Sequence, residues 1–321
     1  MPAATRLTIA ILAAGLALGA SAASAADYPE RPVRILVSFP PGGSSDLVAR
    51  LLAEKLSSEL GQQFVVENKP GAAGTVAATE LKNADNDGYT LMLSNLTPFS
   101  VAPTRFPDTP YDPVADFSHI AYIGAVHLGM FAAPSLETPD MAAFVEQAKA
   151  EPGTIDYGSS GVGSWGHVFA VAFENEADVE LSHIPYKGSG PMRLDFRAGV
   201  IPVMFDAVPQ NLPNVEEGVA IPLAVSSPER LASLPDTPTF TELGYDIVAE
   251  NWLGISGPAG IDGKVIGTLQ GAIASALKSD DVVAQFDTWG IVREDMTSDA
   301  FTDYVASSAK SWEPRVKQAT D

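Results

Sequence analysis

Two Gly/Ser-rich runs carry the residue types best suited to chemistry, Phe39-Pro40-Pro41-Gly42-Gly43-Ser44-Ser45-Asp46 and Tyr157-Gly158-Ser159-Ser160-Gly161-Val162-Gly163-Ser164-Trp165-Gly166-His167. Each follows a short β-like run and precedes a helical pattern. The spacing therefore predicts loops opening onto helix N-termini, where unpaired backbone N–H groups hold an anion. Far apart in sequence, the two loops are expected to face each other from two lobes across a cleft, as a clamp for a small carboxylate.

Enzyme readings compete for the same residues. The first loop lacks the Lys that a phosphate-binding P-loop needs after its glycines. In the second, Gly161-Val162-Gly163-Ser164-Trp165-Gly166 matches the dinucleotide pattern G-x-G-x-x-G, with Glu180 farther on. Its place in mid-chain, and the bulk of Trp165 and His167 at the helix start, speak against a cofactor site. A secreted serine hydrolase is the other alternative. Ser164 and His167 lie three residues apart on an expected helix and can face one another, but no G-x-S-x-G elbow surrounds Ser159, Ser160 or Ser164. His119, His127, His167 and His183 are the only imidazoles and show no metal spacing, and there is no cysteine. No metal or cofactor is therefore expected. Lys187 reads as a solvated or structural lysine before a carboxylate ligand. Asp206 reads equally as a loop cap or as an acid meeting a ligand amine, hydroxyl or bridging water. Trp165 is the aromatic best placed to line a cleft.

The elements that must position these residues alternate between strand and helix. Val33 to Phe39 reads as a buried strand. Leu47, Val48, Leu51, Leu52, Leu56 and Leu60 recur at helical steps up to Gly61, and Gln63 to Asn68 is a second strand. A helix through Lys82 and a strand from Tyr89 to Ser94 complete a β-α-β-α-β series, which predicts a parallel sheet covered by helices. The alternation resumes from Ile120, with a Pro-rich loop expected after Asp206 and helices closing the chain. The fold class is α/β in two domains, residues 27–100 with 228–321 forming one and 101–227 the other.

Composition narrows the partners. Residues 1–26 carry one charge, Arg6, ahead of an apolar stretch and Ala23-Ser24-Ala25, the pattern of a signal peptide cut near Ala25 or Ala26. Export to the periplasm is expected. The net charge of −21 argues against nucleic acid, which is bound by clustered Lys and Arg.

These motifs, in this order and spacing, resemble one family. Tyr28-Pro29-Glu30-Arg31-Pro32-Val33, the first loop with Arg50, Val66-Glu67-Asn68-Lys69-Pro70-Gly71-Ala72-Ala73-Gly74 and Asp87-Gly88-Tyr89-Thr90-Leu91 belong to the pattern. So do the second loop with His167, Pro185-Tyr186-Lys187-Gly188, Met204-Phe205-Asp206 and Leu234-Pro235-Asp236-Thr237-Pro238-Thr239. Over essentially its whole mature length the chain resembles the periplasmic substrate-binding receptors of tripartite tricarboxylate transporters, the Bug receptors. The resemblance implies a two-lobed type II periplasmic binding protein fold, with a ligand cleft between two α/β domains that close like a hinge trap. It implies a non-catalytic, monomeric receptor that carries a small organic acid (mono-, di- or tricarboxylate) to a membrane permease. The ligand carboxylate would be held by the Phe39 backbone, Gly42, Gly43 and Ser44 on one side and by Ser160, Gly163 and Ser164 on the other. Thr97 and Asp206 would read its far end. Asn86, Ser94 to Ser100, His127 to Met130 and Trp165 depart from the family pattern, and the last three can reshape the distal pocket.

Overall fold

The computed structural model describes residues 28–318, so the expected signal peptide at residues 1–26 lies outside them. A first sheet is built from β1 (Val33–Val37), β2 (Phe64–Asn68) and β3 (Thr90–Asn95), all parallel. The long β4 (Phe117–Ala132) belongs to two sheets. Its first part, through His127, pairs antiparallel with β9 (Glu250–Pro258), which also pairs with β3. Its last residues, Leu128 to Ala132, enter a second sheet with β5 (Asp156–Ser159), β6 (Ser182–Pro185), β7 (Val203–Ala207) and β8 (Ile221–Val225). The first sheet runs β2-β1-β3-β9-β4 and the second β8-β4-β7-β5-β6.

Helices cover both sheets: α1 (Ser44–Leu60), α2 (Thr75–Lys82), α3 (Ala102–Arg105), α4 (Met141–Ala150), α5 (Trp165–Ala177), α6 (Ser189–Arg197), α7 (Val208–Glu216), α8 (Gly263–Lys278), α9 (Asp280–Trp289) and α10 (Ser298–Gln318). Burial dictates the arrangement. Val33, Ile35, Leu36 and Val37 are all fully buried, as a parallel strand with helices on both faces requires. Val48, Leu52 and Leu56 recur every fourth residue on α1 and pack into that core, and Gly61 ends the helix in the left-handed conformation at φ 70°. The C-terminal α10 sends Trp312 and Val316 into a core shared with Phe169 and Phe173 of α5, tying the chain end to the second lobe.

The lobe boundaries differ from those expected. Strand pairing carries the first sheet on to His127, past the expected break at residues 100–101. Residues 97–105 form a π-helical turn, Thr97–Val101, that leads into α3 rather than a crossing between lobes. The segment after residue 228 still packs on the second lobe, with Phe240 against Phe169 at 5.1 Å and Phe173 at 5.7 Å. Both chain crossings therefore lie side by side, where His127 of β4 faces Glu250 of β9. The stretch after Asp206 is α7 rather than a loop. Pro209 sits in its first turn, where a proline's missing N–H leaves no helical bond unmade, although Pro213 lies inside.

Candidate functional site

A cavity of about 80 Å³ lies where the two lobes meet. Phe39, Gly43 and Ser44 of the first loop, Thr97 and Asn251 line it from the first lobe. Ser160, Trp165, Ser189 and Asp206 line it from the second. Six of the nine expected site residues, Phe39, Gly43, Ser44, Thr97, Ser160 and Asp206, thus share one cavity. Gly42, Gly163 and Ser164 stand outside its lining, and their hydrogen bonds explain why.

The first loop is built around Asp46, a buried acid in the first turn of α1. Its carboxylate accepts the Gly42 N–H at 3.0 Å, the Asn68 amide at 3.0 Å and the Arg50 guanidinium at 3.1 Å. Burial pushes the Asp46 carboxyl up, but Arg50, Gly42 and Asn68 outweigh it and hold the group below its usual range. Asn68 also donates to the Phe39 carbonyl at 2.9 Å, fixing the start of the loop. Gly42 turns the chain at φ 89°, a conformation that favours glycine. Gly43, the N-cap of α1, has no side chain to cap it, so the helix start keeps its donors and its positive dipole end for a ligand.

The second loop is closed on itself. Ser164 caps α5 by accepting the His167 N–H at 3.3 Å, and the Gly163 N–H donates to His167 Nδ1 at 3.2 Å. The His167 ring stacks on His183 at 4.1 Å, and His183 Nε2 meets Ser159 Oγ at 2.7 Å. His167 therefore braces the loop rather than activating Ser164, whose oxygen is engaged as a cap. Burial first, then the nearby Arg105 charge, lowers the His167 pKa, which keeps the ring a neutral acceptor for Gly163.

The glycines of the dinucleotide-like pattern have structural reasons. Gly161 and Gly163 sit at φ 136° and 72°. A Cβ on Gly166 would stand 2.6 Å from the Phe205 carbonyl oxygen, so that glycine lets α5 lie against β7.

Asp206 on β7 is fully enclosed. It meets Ser189 Oγ at 2.8 Å and Asn211 Nδ2 at 2.9 Å, with Arg193 Nε at 3.8 Å. Burial raises its pKa, opposed by Arg193, Asn211 and Ser189. Thr97 is held by its N–H to the Asn95 side chain at 3.1 Å, while Asn251 accepts the Leu96 N–H at 3.2 Å. Sequence reasoning missed Asn251 and Ser189; the only signal for Ser189 was the motif Pro185-Tyr186-Lys187-Gly188 just before it. From the unusual segment His127 to Met130, only Leu128 reaches the cavity. Lys187 is exposed.

The lobes touch across the cleft. Arg193 Nη2 donates to the Gly42 carbonyl at 3.1 Å, and a Cβ on Gly188 would stand 3.2 Å from the Pro40 ring. A larger cavity of about 1190 Å³ opens behind the crossing strands and holds none of the expected residues. Its acids, Glu229, Glu250, Asp287, Glu294 and Asp295, outnumber its bases, Arg230, Lys278 and Arg293, and Arg230 and Arg293 are paired with Glu242 and Asp287, so the cavity opposes an anion. Among the described residues no group of His, Asp and Glu can hold a metal ion.

Comparison with known proteins agrees with this architecture. The chain is 35% identical over 312 residues to protein BugT of Bordetella pertussis, spanning 97% of this chain and 95% of BugT. R. palustris Rpa4515, solved with adipate, superposes with a TM-score of 0.87 at 30% identity, covering 91% of this chain and 98% of that one. MatC (Rpa3494) from Rhodopseudomonas palustris, solved with bound malate, gives 0.84 at 27% identity, covering 90% and 100%. The two-lobed fold is that of periplasmic binding proteins. Residues 48–320 match the tripartite tricarboxylate transporter family receptor, and the chain belongs to this family of solute-binding receptors, not to an enzyme class.

Proposed function

We propose that this protein is an exported, non-catalytic receptor that captures a small organic carboxylate between its lobes and delivers it to the membrane permease of a tripartite tricarboxylate transporter. The observation that carries the reading is the uncapped start of α1, whose Gly43 and Ser44 line the cleft opposite Ser160. A charge-assisted hydrogen bond to a carboxylate contributes about 1.5–3 kcal/mol. Three or four of them, less the ordering cost, bring a micromolar Kd within reach, which needs about −8.2 kcal/mol. The site residues in this reading are Phe39, Gly43, Ser44, Thr97, Ser160 and Asp206. Gly42, Gly163 and Ser164 shape the two loops from behind.

The relatives' bound adipate and malate support a carboxylate as the cargo. A cavity of about 80 Å³ favours a short acid, well below the roughly 300 Å³ at which sites for drug-sized ligands begin. The receptor acts as a monomer, cut from its signal peptide near Ala25 or Ala26, and needs no cofactor. A thermal-shift screen of the mature protein against organic acids tests the proposal, because a ligand that binds only the folded state raises the melting temperature. A carboxylate is expected to do so; a response only to sugars or amines would overturn it. Ester turnover that vanishes in Ser164→Ala would instead establish a hydrolase.

A further inference from the structure

Among the described residues, Asp206 is the only charged one lining the interlobe cavity. A carboxylate there repels an acid ligand unless it is neutralised, or unless the ligand brings a cation of its own. A free Asp206 would thus select amino acids, whose ammonium group could pair with it. It is not free. Ser189 Oγ engages Oδ1 at 2.8 Å, Asn211 Nδ2 engages Oδ2 at 2.9 Å, and the Arg193 guanidinium stands 3.8 Å from Oδ2.

Arg193 is held in that place from three sides. Its Nη1 donates to the Gln210 carbonyl at 3.0 Å, its Nη2 to the Gly42 carbonyl at 3.1 Å, and its Nε to the Ser189 carbonyl at 3.4 Å. The nearby acid on its own helix, Asp195, accepts the Tyr186 hydroxyl at 2.9 Å. Asp206 is the one acid with which Arg193 forms an ion pair among the described residues. On the same wall Trp165 is buried, and its indole N–H has no partner. The wall thus offers a spare donor and no spare anion.

We propose that Arg193 sets the ligand class of the site: by neutralising Asp206 it makes the cavity select acids that carry no ammonium group. Arg193 acts through Asp206 and is a positioning residue. The inference rests on the carboxylate-receptor reading and narrows it to acids whose far end is an acceptor, such as a hydroxyl, a keto group or a second carboxylate.

The test is calorimetric titration of each acid in a panel against its α-amino counterpart, succinate against L-aspartate and glutarate against L-glutamate among them. The wild type is expected to prefer the acid without the amine by about tenfold or more. Arg193→Met should shrink that preference by about tenfold, Arg193→Lys should retain it, and Asp206→Asn added to Arg193→Met should restore it. Loss of the contact to Gly42 weakens both members of a pair alike and cancels in the ratio, so a merely structural role would leave the ratio unmoved. Should Arg193→Met not fold, Asp206→Asn alone serves: it leaves the Arg193 charge unopposed and must raise the preference. A wild type that favours the amino acids, or an unchanged ratio in these variants, overturns the role of Arg193 while leaving the receptor standing. If no acid of either kind binds, the receptor reading fails and this inference with it.

Discussion

Arg193 Nη2 donates to the Gly42 carbonyl at 3.1 Å, joining helix α6 of one lobe to the first Gly/Ser loop of the other. A hydrogen bond from a charged donor contributes about 1.5–3 kcal/mol, and this one exists only while the lobes are together. Its removal should shift the closed-to-open ratio by about tenfold or more. Small-angle scattering of ligand-free Arg193→Met is therefore expected to give a larger radius of gyration than the wild type, with the difference removed at saturating ligand. Equal radii in both ligand-free proteins would show that the contact does not hold the lobes.

Ser164 stands outside the cavity as the cap of α5, accepting the His167 N–H at 3.3 Å. Ser164→Ala should lower stability by about 1 kcal/mol, the usual effect of losing a serine cap. Ligand affinity should change less than threefold, about 0.6 kcal/mol. Denaturant unfolding and titration of the same variant check both numbers. A large loss of affinity without loss of stability would place Ser164 in direct contact with the ligand.

The histidines give the fold an acid-sensitive side. Burial pushes His119 down to about 4, and burial, then the repulsion the stacked His167 ring would exert if both were protonated, pushes His183 down to about 4. His127 and His167 are lowered as well, in both cases mainly by burial. An unfolded histidine takes its proton near 6.5, so between that value and the folded one the unfolded state binds more protons. The stabilisation is complete above about pH 6.5 and falls on acidification, by about 1.4 kcal/mol per pH unit for each such group. Glu174 and Asp206, raised by burial, act in the opposite sense, but the four histidines outnumber them. The denaturant midpoint should hold level above about pH 7 and drop from about pH 6.5 to 5. A flat or rising profile would contradict this account.

Much of the scaffold was legible in the residues. The helical recurrence of Val48, Leu52 and Leu56 and the buried Val33, Ile35, Leu36 and Val37 of β1 point to a helix packed on a parallel sheet, and both are found. What stayed hidden depends on contacts distant in sequence. β4 reads as one strand, and nothing local to it says that Leu128 begins a second sheet. α7 is masked by Pro209 and Pro213, since local prolines suggest a loop and only packing overrides them. Arg193 looks like an ordinary helix-surface cation, and its partner Gly42 is 151 residues away. The Gly163 N–H and the Ser164 hydroxyl looked available in sequence because the His167 ring that accepts from the first, and the cap that occupies the oxygen of the second, appear only once α5 is folded.

Gly43, at the uncapped start of α1 where the carboxylate is proposed to bind, is the residue on which that binding is best tested. Its backbone is extended at φ −86°, ψ 169°, a conformation open to any residue, and a Cβ there meets nothing within 4 Å. Gly43→Val should therefore fold, with a ligand-free melting temperature a few degrees below that of the wild type at most, while adding bulk at a residue that lines the cavity. Calorimetric titration with the acid that stabilises the wild type should show one site per chain in the wild type and an affinity at least about tenfold weaker in Gly43→Val. Undiminished binding by a folded Gly43→Val would place the ligand elsewhere and contradict the account.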